Sequence, residues 1–207
     1  MIKLTARQEE QLATLQNKNY KHQLYYGGVR TGKTVGIINY LIMECVDNPG
    51  LRVVITTGDK RKFRMMLLPS VYIVLDKSDF TCVESTSLAG NIQKVYSVNI
   101  PGLQINFPNG SSIQFLEINR LYGYSHFDIV YVNDIFNVEF EEYYLISCRT
   151  RQLISEAYSI KEDHWSYKSF FTEDEDFRHI KKEIRITTCM DIDYWYLSPE
   201  YREELAS

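Results

Sequence analysis

Apolar positions along the chain fall into short continuous runs separated by longer stretches of helical spacing. Thr5 to Asn17 has helical spacing and opens with T-A-R-Q, in which Thr5 caps and Gln8 makes the back-contact of a capping box. HQLYY (His22 to Tyr26) follows as a short, aromatic, buried strand. VGIINYLIMECV (Val35 to Val46) places apolar residues around most of a helix, which stops at Asn48-Pro49-Gly50. LRVVITT (Leu51 to Thr57) is a second buried strand, and KRKFRMMLLPSVYIVLD is helix-like, kinked or split at Pro69.

From Val95 to Leu116 the pattern turns to β. LQINF and SIQFLE alternate on either side of Asn109-Gly110, the turn signal of a hairpin. FDIVYV (Phe127 to Val132) is the most apolar strand and ends at Asn133-Asp134. FEEYYLISCRTRQLISEA then reads as helix, and EIRITT (Glu183 to Thr188) as a last strand. Strands alternating with helices, several of them continuously apolar, imply an α/β fold with a mainly parallel sheet covered on both faces. The hairpin is expected to add an antiparallel portion at the sheet edge.

The 207 residues suffice for one substantial α/β domain, and 44% apolar content supports a real core. No apolar run approaches the roughly 18 residues that a membrane span requires. The N-terminus lacks the apolar centre of a secretory signal. Cys45, Cys82, Cys148 and Cys189 lie far apart without metal-binding spacing, as free thiols in a reducing cytosol would. The net charge of −4 argues against a surface wholly given to nucleic acid, but not against a local basic patch. Lys60, Arg61, Lys62 and Arg64 form the densest such cluster, equally a solvated helix start or a DNA or phosphate contact. The acid run Glu173 to Asp176 reads as a solvated loop.

Chemistry concentrates in GGVRTGKT, Gly27 to Thr34, which matches G-x-x-x-x-G-K-[ST]. At average composition this match arises by chance in about one chain in a hundred of this length, so context must decide. The context is strand, Gly-rich turn, helix, as a phosphate-binding loop requires. Backbone N–H groups of Gly28, Val29, Arg30 and Thr31 would wrap the phosphates. Gly27 and Gly32 suit positive φ or close approach, Lys33 would reach the β- and γ-phosphates, and the Thr34 hydroxyl would join Mg²⁺.

In an open α/β sheet, ligands bind beyond the carboxyl ends of strands. The phosphate loop, Asn133-Asp134 and Thr187-Thr188 all stand at such ends. Asn133 is neutral and could accept a hydrogen bond from a metal-bound water. Asp134 could activate the attacking water, serve the metal, or simply cap the next helix. Arg30 could offset charge developing on the γ-phosphate, or pair with an acidic neighbour. Arg149 and Arg151, on the expected helix after Asp134, suit surface pairing with Glu141 or Glu142, or action on a neighbouring subunit's nucleotide. The Gln8 amide could read adenine with one donor and one acceptor, beside its capping role.

YYGGVRTGKT, INFPNGSSIQF, YGYSHFDIVYVND, CRTRQ, DHWSYKSFF and IRITTCMDIDYWYLSPEYREEL, in that order, resemble the ATPase domain of phage terminase large subunits. Those proteins are motors that package double-stranded DNA into a prohead. The resemblance covers nearly the whole chain; the phosphate loop is individually specific, and order and spacing carry the rest. It implies an additional-strand (ASCE) P-loop NTPase fold using ATP and Mg²⁺. Gly27 to Thr34 matches the Walker A loop and Arg30 its arginine. Asn133 stands where most members have the Walker B Asp and some have Asn, and Asp134 where they usually have a catalytic Glu one methylene longer. Thr187 and Thr188 match the coupling motif, and Gln8 the adenine-contacting glutamine.

The partners implied are double-stranded DNA, the portal protein of the prohead, a small terminase subunit and other copies in a ring, in the cytoplasm of an infected host. Full-length members carry a nuclease domain as well. With the sequence ending at Ser207, a motor domain alone, without DNA cleavage, is the expectation. A module that binds nucleotide and DNA with little hydrolysis of its own is the alternative, suggested by Asn133-Asp134.

Overall fold

The computed structural model describes residues 6–17, 19–27, 32–57, 67–77, 81–84, 95–99, 104–123, 126–158, 160–172 and 184–188. In chain order these form α1 (Ala6–Leu15), β1 (His22–Tyr26), α2 (Lys33–Asp47), β2 (Arg52–Thr57), α3 (Leu68–Lys77), β3 (Thr81–Glu84), β4 (Val95–Asn99), β5 (Gln104–Asn106) and β6 (Ser112–Phe115). β7 (Phe127–Asn133), α4 (Phe140–Ser147), β8 (Thr150–Ala157), α5 (Trp165–Phe171) and β9 (Ile184–Thr188) follow. Short 3₁₀ turns cover Ile118–Gly123 and Ile135–Asn137.

One nine-stranded sheet runs in the order β3-β4-β5-β6-β2-β7-β8-β1-β9. Only the pairings of β5, with β4 and with β6, are antiparallel; every other pairing among these strands is parallel. The mainly parallel sheet expected from the apolar runs is therefore present. The β5–β6 hairpin forms at Asn109-Gly110 as expected, with Gly110 at φ 83°. It is not at the edge, because β3 and β4 continue the sheet beyond it.

Strand alternation splits the core into two layers. On one face Tyr25, Val53, Ile55, Tyr131 and Ile154 pack with Ile37, Ile38 and Leu41 of α2, Leu15 of α1 and Val71 of α3. On the other, Leu24, Val54, Val130, Val132 and Leu153 pack with Tyr143 and Ile146 of α4 and Phe170 of α5. Each such side chain, removed wholly from water, contributes about 1.5–3 kcal/mol.

α2 ends where Asn48, held extended by the following proline, leaves helical φ/ψ. Two of its last carbonyls, those of Cys45 and Val46, accept from Asn109 Nδ2 at 2.8 and 3.0 Å. The hairpin turn thus satisfies groups that the helix itself cannot. α3 begins at Leu68, so Pro69 sits in its first turn, where a missing N–H costs nothing. The segment with Lys60 to Arg64 and the acid run Glu173 to Asp176 lie outside the described residues.

The stretch expected to be a single helix after Asp134 divides instead into α4 and β8, and β8 lies in the middle of the sheet between β7 and β1. Arg151 and Gln152 disguise it: two polar residues ahead of the short apolar pair Leu153-Ile154 suggest a helix with one wet face. The Gln152 amide is buried instead, accepting from Tyr40 Oη at 2.9 Å and donating to the Leu15 carbonyl at 3.0 Å.

Candidate functional site

The turn from β1 into α2 is built by two glycines. Gly27 has φ 146° and Gly32 φ 83°, values that strain any residue carrying a Cβ. The Gly27 N–H donates to the Ala157 carbonyl at 3.1 Å, tying the turn to the end of β8. Gly32 is the N-cap of α2 and offers no side chain. The first-turn N–H groups and the positive end of the helix dipole therefore face outward as an anion-binding end. Gly28, Val29, Arg30 and Thr31 lie outside the described residues, as does the side chain of Gln8.

Lys33 is buried, and its Nζ donates to the Gly27 carbonyl at 3.0 Å, spanning the two ends of the turn. Its own carbonyl accepts from Gln11 Nε2 at 3.1 Å, so α1 grips the start of α2.

Beside this helix start, the carboxyl ends of the parallel strands form a row. Thr57 is in register with Asn133, and Tyr25 with both Glu156 and Thr187. Val132 pairs with Ser155, which brings Glu156 to the level of Asn133. Asn133 Nδ2 donates to Tyr131 Oη at 3.0 Å, and Tyr131 Oη in turn donates to the Glu156 carboxylate. The Thr34 hydroxyl shares its proton between the two oxygens of that carboxylate, at 2.9 and 3.0 Å. Lys33, Thr34, Asn133 and Glu156 are thus one constellation.

Burial raises the Glu156 pKa above the ordinary carboxylate value. The Tyr131 hydrogen bond, the Lys33 charge and the Thr34 hydroxyl oppose that rise, while the Asp134 charge adds to it. The Tyr131 phenol is pushed well up, first by burial and then by the Glu156 charge.

Asp134 follows β7 at φ 55° and ψ 64°, and among the described residues it is the non-glycine with positive φ. Such a conformation costs on the order of 1 kcal/mol and clusters at functional sites. It occupies the N-cap of the 3₁₀ turn Ile135–Asn137, yet its side chain makes no cap hydrogen bond. The buried carboxylate is not used as a cap.

Other candidates stand apart. Thr187 and Thr188 end β9, which flanks β1 on the side away from β7, so β1 and β8 separate them from Asn133. Arg149 lies in the turn before β8 and Arg151 in β8 itself, not on a helix. Arg151 reaches Asp128 at 3.5 Å, rather than Glu141 or Glu142. Both arginines sit at the amino end of β8, opposite the phosphate turn of their own chain.

Sequence reasoning missed Glu156 and Tyr131. The available signal was the apolar run LIS ending in Glu-Ala: read as a strand, it puts a carboxylate at a carboxyl end, where site residues gather. The donor set of hydroxyl, carboxylate and amide beside a phosphate turn fits Mg²⁺, which takes one or two protein oxygens and completes its shell with phosphates and waters. Among the described residues, no group of three His, Cys, Asp or Glu side chains gathers into an all-protein metal cage.

The fold agrees with comparisons to known proteins. The large terminase of a thermophilic bacteriophage superposes with a TM-score of 0.71 at 13% identity, over 98% of this chain and 49% of that one. The same protein in complex with ATP-gamma-S gives the same values. The large terminase ATPase domain of Thermus phage P74-26 gives 0.57 at 13% identity, over 94% of this chain and 84% of that one. The Phi-28 gp11 DNA packaging motor gives 0.51 at 8% identity, over 96% and 64%. This chain spans about half the length of the thermophilic phage's large terminase. No curated protein matches the chain. The sequence profile of the family described as "Phage terminase large subunit" matches residues 19–205, and the chain belongs to that family.

Proposed function

We propose that this chain is the ATP-hydrolysing motor of a viral DNA-packaging terminase, coupling Mg-ATP hydrolysis to movement of double-stranded DNA into a prohead. The observation that carries this reading is the meeting of Thr34, at the start of α2 beside Lys33, with Glu156 of β8, which Tyr131 ties to Asn133 at the end of β7, directly before Asp134. Membership of the terminase family and the likeness to a DNA packaging motor support it.

In this reading the turn from Gly27 to Gly32 and the start of α2 bind the phosphates, and Lys33 exchanges its Gly27 carbonyl partner for phosphate oxygens. Gln8 contacts the adenine. Thr34, with Asn133 through a water, would hold Mg²⁺, which neutralises charge on the β- and γ-phosphates. Asp134 takes the proton of the attacking water, its strained backbone fixing the shorter side chain. Arg30 offsets transition-state charge, and Thr188 senses the γ-phosphate from β9. The partners are double-stranded DNA, the portal protein, a small terminase subunit and neighbouring copies in a ring, in the cytoplasm of the infected cell. Among the described residues, no helix is long and apolar enough to cross a membrane.

Steady-state hydrolysis with Mg²⁺, with and without duplex DNA, tests the assignment. Weak activity that both Lys33→Ala and Asp134→Ala abolish is expected. Undiminished turnover in Asp134→Ala would remove that residue from catalysis, and tight binding without turnover would leave a nucleotide-dependent binding module.

A further inference from the structure

The carboxylate facing the Thr34 hydroxyl does not come from β7, where Asn133 is neutral. It comes from β8, the strand between β7 and the phosphate-loop strand β1. We propose that Glu156 is the metal-side carboxylate of this site: through the Thr34 hydroxyl it orients that oxygen toward Mg²⁺ and supplies the negative charge that Asn133 lacks.

The geometry supports this in three ways. A hydroxyl that donates its proton to a carboxylate has its lone pairs turned the other way, available to a cation; Thr34 donates to both Glu156 oxygens. Glu156 is itself held from behind by Tyr131 Oη, which also receives Asn133 Nδ2, so the neutral β7 amide serves to lock the β8 carboxylate in place. Finally, two carboxylates stand at neighbouring strand ends, Glu156 near the end of β8 and Asp134 directly after Asn133 at the end of β7. It is Glu156 that accepts from Thr34. This divides the work: Glu156 serves the cation, which leaves Asp134 to the attacking water. A carboxylate taken from strand β8 thus substitutes for one that is missing from β7.

The proposal rests on the nucleotide reading above, and its test separates the two. The dissociation constant of ATP-gamma-S is measured calorimetrically with the 207-residue chain in excess Mg²⁺ and in EDTA, for the unaltered protein and for Glu156→Gln. The unaltered protein is expected to bind more tightly with Mg²⁺. Glu156→Gln is expected to lose about tenfold or more of that Mg²⁺-dependent gain, the range for outer partners of metal ligands, with its affinity in EDTA kept or improved. Asn133→Asp combined with Glu156→Gln returns a carboxylate to the neighbouring strand, and part of the gain with it.

Should Glu156→Gln not fold, Tyr131→Phe reads the same network, with a severalfold smaller Mg²⁺-dependent gain expected. A full Mg²⁺ gain in whichever of these variants folds overturns the role of Glu156 while leaving the nucleotide site intact. No ATP-gamma-S binding by the unaltered chain overturns both.

Discussion

Gln11 Nε2 donates to the Lys33 carbonyl at 3.1 Å, and the Oε1 of the same amide lies 2.4 Å from where a Cβ on Gly36 would fall. α1 is therefore docked on the phosphate-binding helix through a gap that only glycine leaves.

Gly36→Ala sets two effects of similar size against each other. Helix propensity favours alanine by about 1 kcal/mol, whereas displacing the buried Gln11 amide loses a hydrogen bond of about the same worth. The single variant should be near neutral in urea denaturation, and Gln11→Ala alone destabilised by about 1 kcal/mol. Because Gln11→Ala removes the clash, the double variant should be more stable than the sum of the singles by about 1 kcal/mol. Simple additivity would show that the two positions do not compete for the gap.

Gln152→Leu should be costly despite burying more apolar surface. It strands the Tyr40 hydroxyl and the Leu15 carbonyl, both buried partners of the Gln152 amide. Unsatisfied groups cost about 1–3 kcal/mol each, so a loss of roughly 2–6 kcal/mol, reduced by the added apolar burial, is expected from the urea midpoint. Adding Tyr40→Phe should restore about 1 kcal/mol by removing one of the stranded groups.

α5 is capped by an imidazole: His164 Nδ1 accepts from the Ser166 N–H at 3.2 Å, a role open only to the neutral ring. Burial lowers the His164 pKa, against the opposing charges of Glu139 and Asp163. The folded state thus releases this proton more readily than the unfolded chain does. The capping contribution is complete above the unfolded value, about 6.5, and is lost as pH falls below it toward the lower folded value. His164→Asn keeps a capping acceptor without the titration. The stability difference between the unaltered chain and this variant should shift against the unaltered chain between about pH 7.5 and 5.5, on either side of the unfolded value. A constant difference would refute the capping role.

The legible parts of the fold were those whose causes are local. GGVRTGKT, the Asn109-Gly110 turn and the unbroken apolar run before Asn133 each carry their signal within a few neighbouring residues. β8 did not, because what buries Gln152 is Tyr40 of α2 and the carbonyl of Leu15, far off in sequence. Missing the strand also hid Glu156, whose hydroxyl partner Thr34 lies 122 residues upstream. The local signal of Glu156, a carboxylate at the carboxyl end of a strand, becomes legible only once β8 is read as a strand, and the pairing of Arg151 with Asp128 depends on that strand as well.

The Asn109 side chain couples two lengths that could otherwise drift separately. It reaches the Cys45 and Val46 carbonyls only while α2 keeps its fifteen residues, about 22 Å from the phosphate turn, and the hairpin keeps its present turn. Adding a residue to either element would rotate or lift one set of groups away from the other. An insertion in one element alone therefore forfeits these bonds, about 1 kcal/mol each, so the distance between phosphate turn and hairpin tip is gauged by a single side chain.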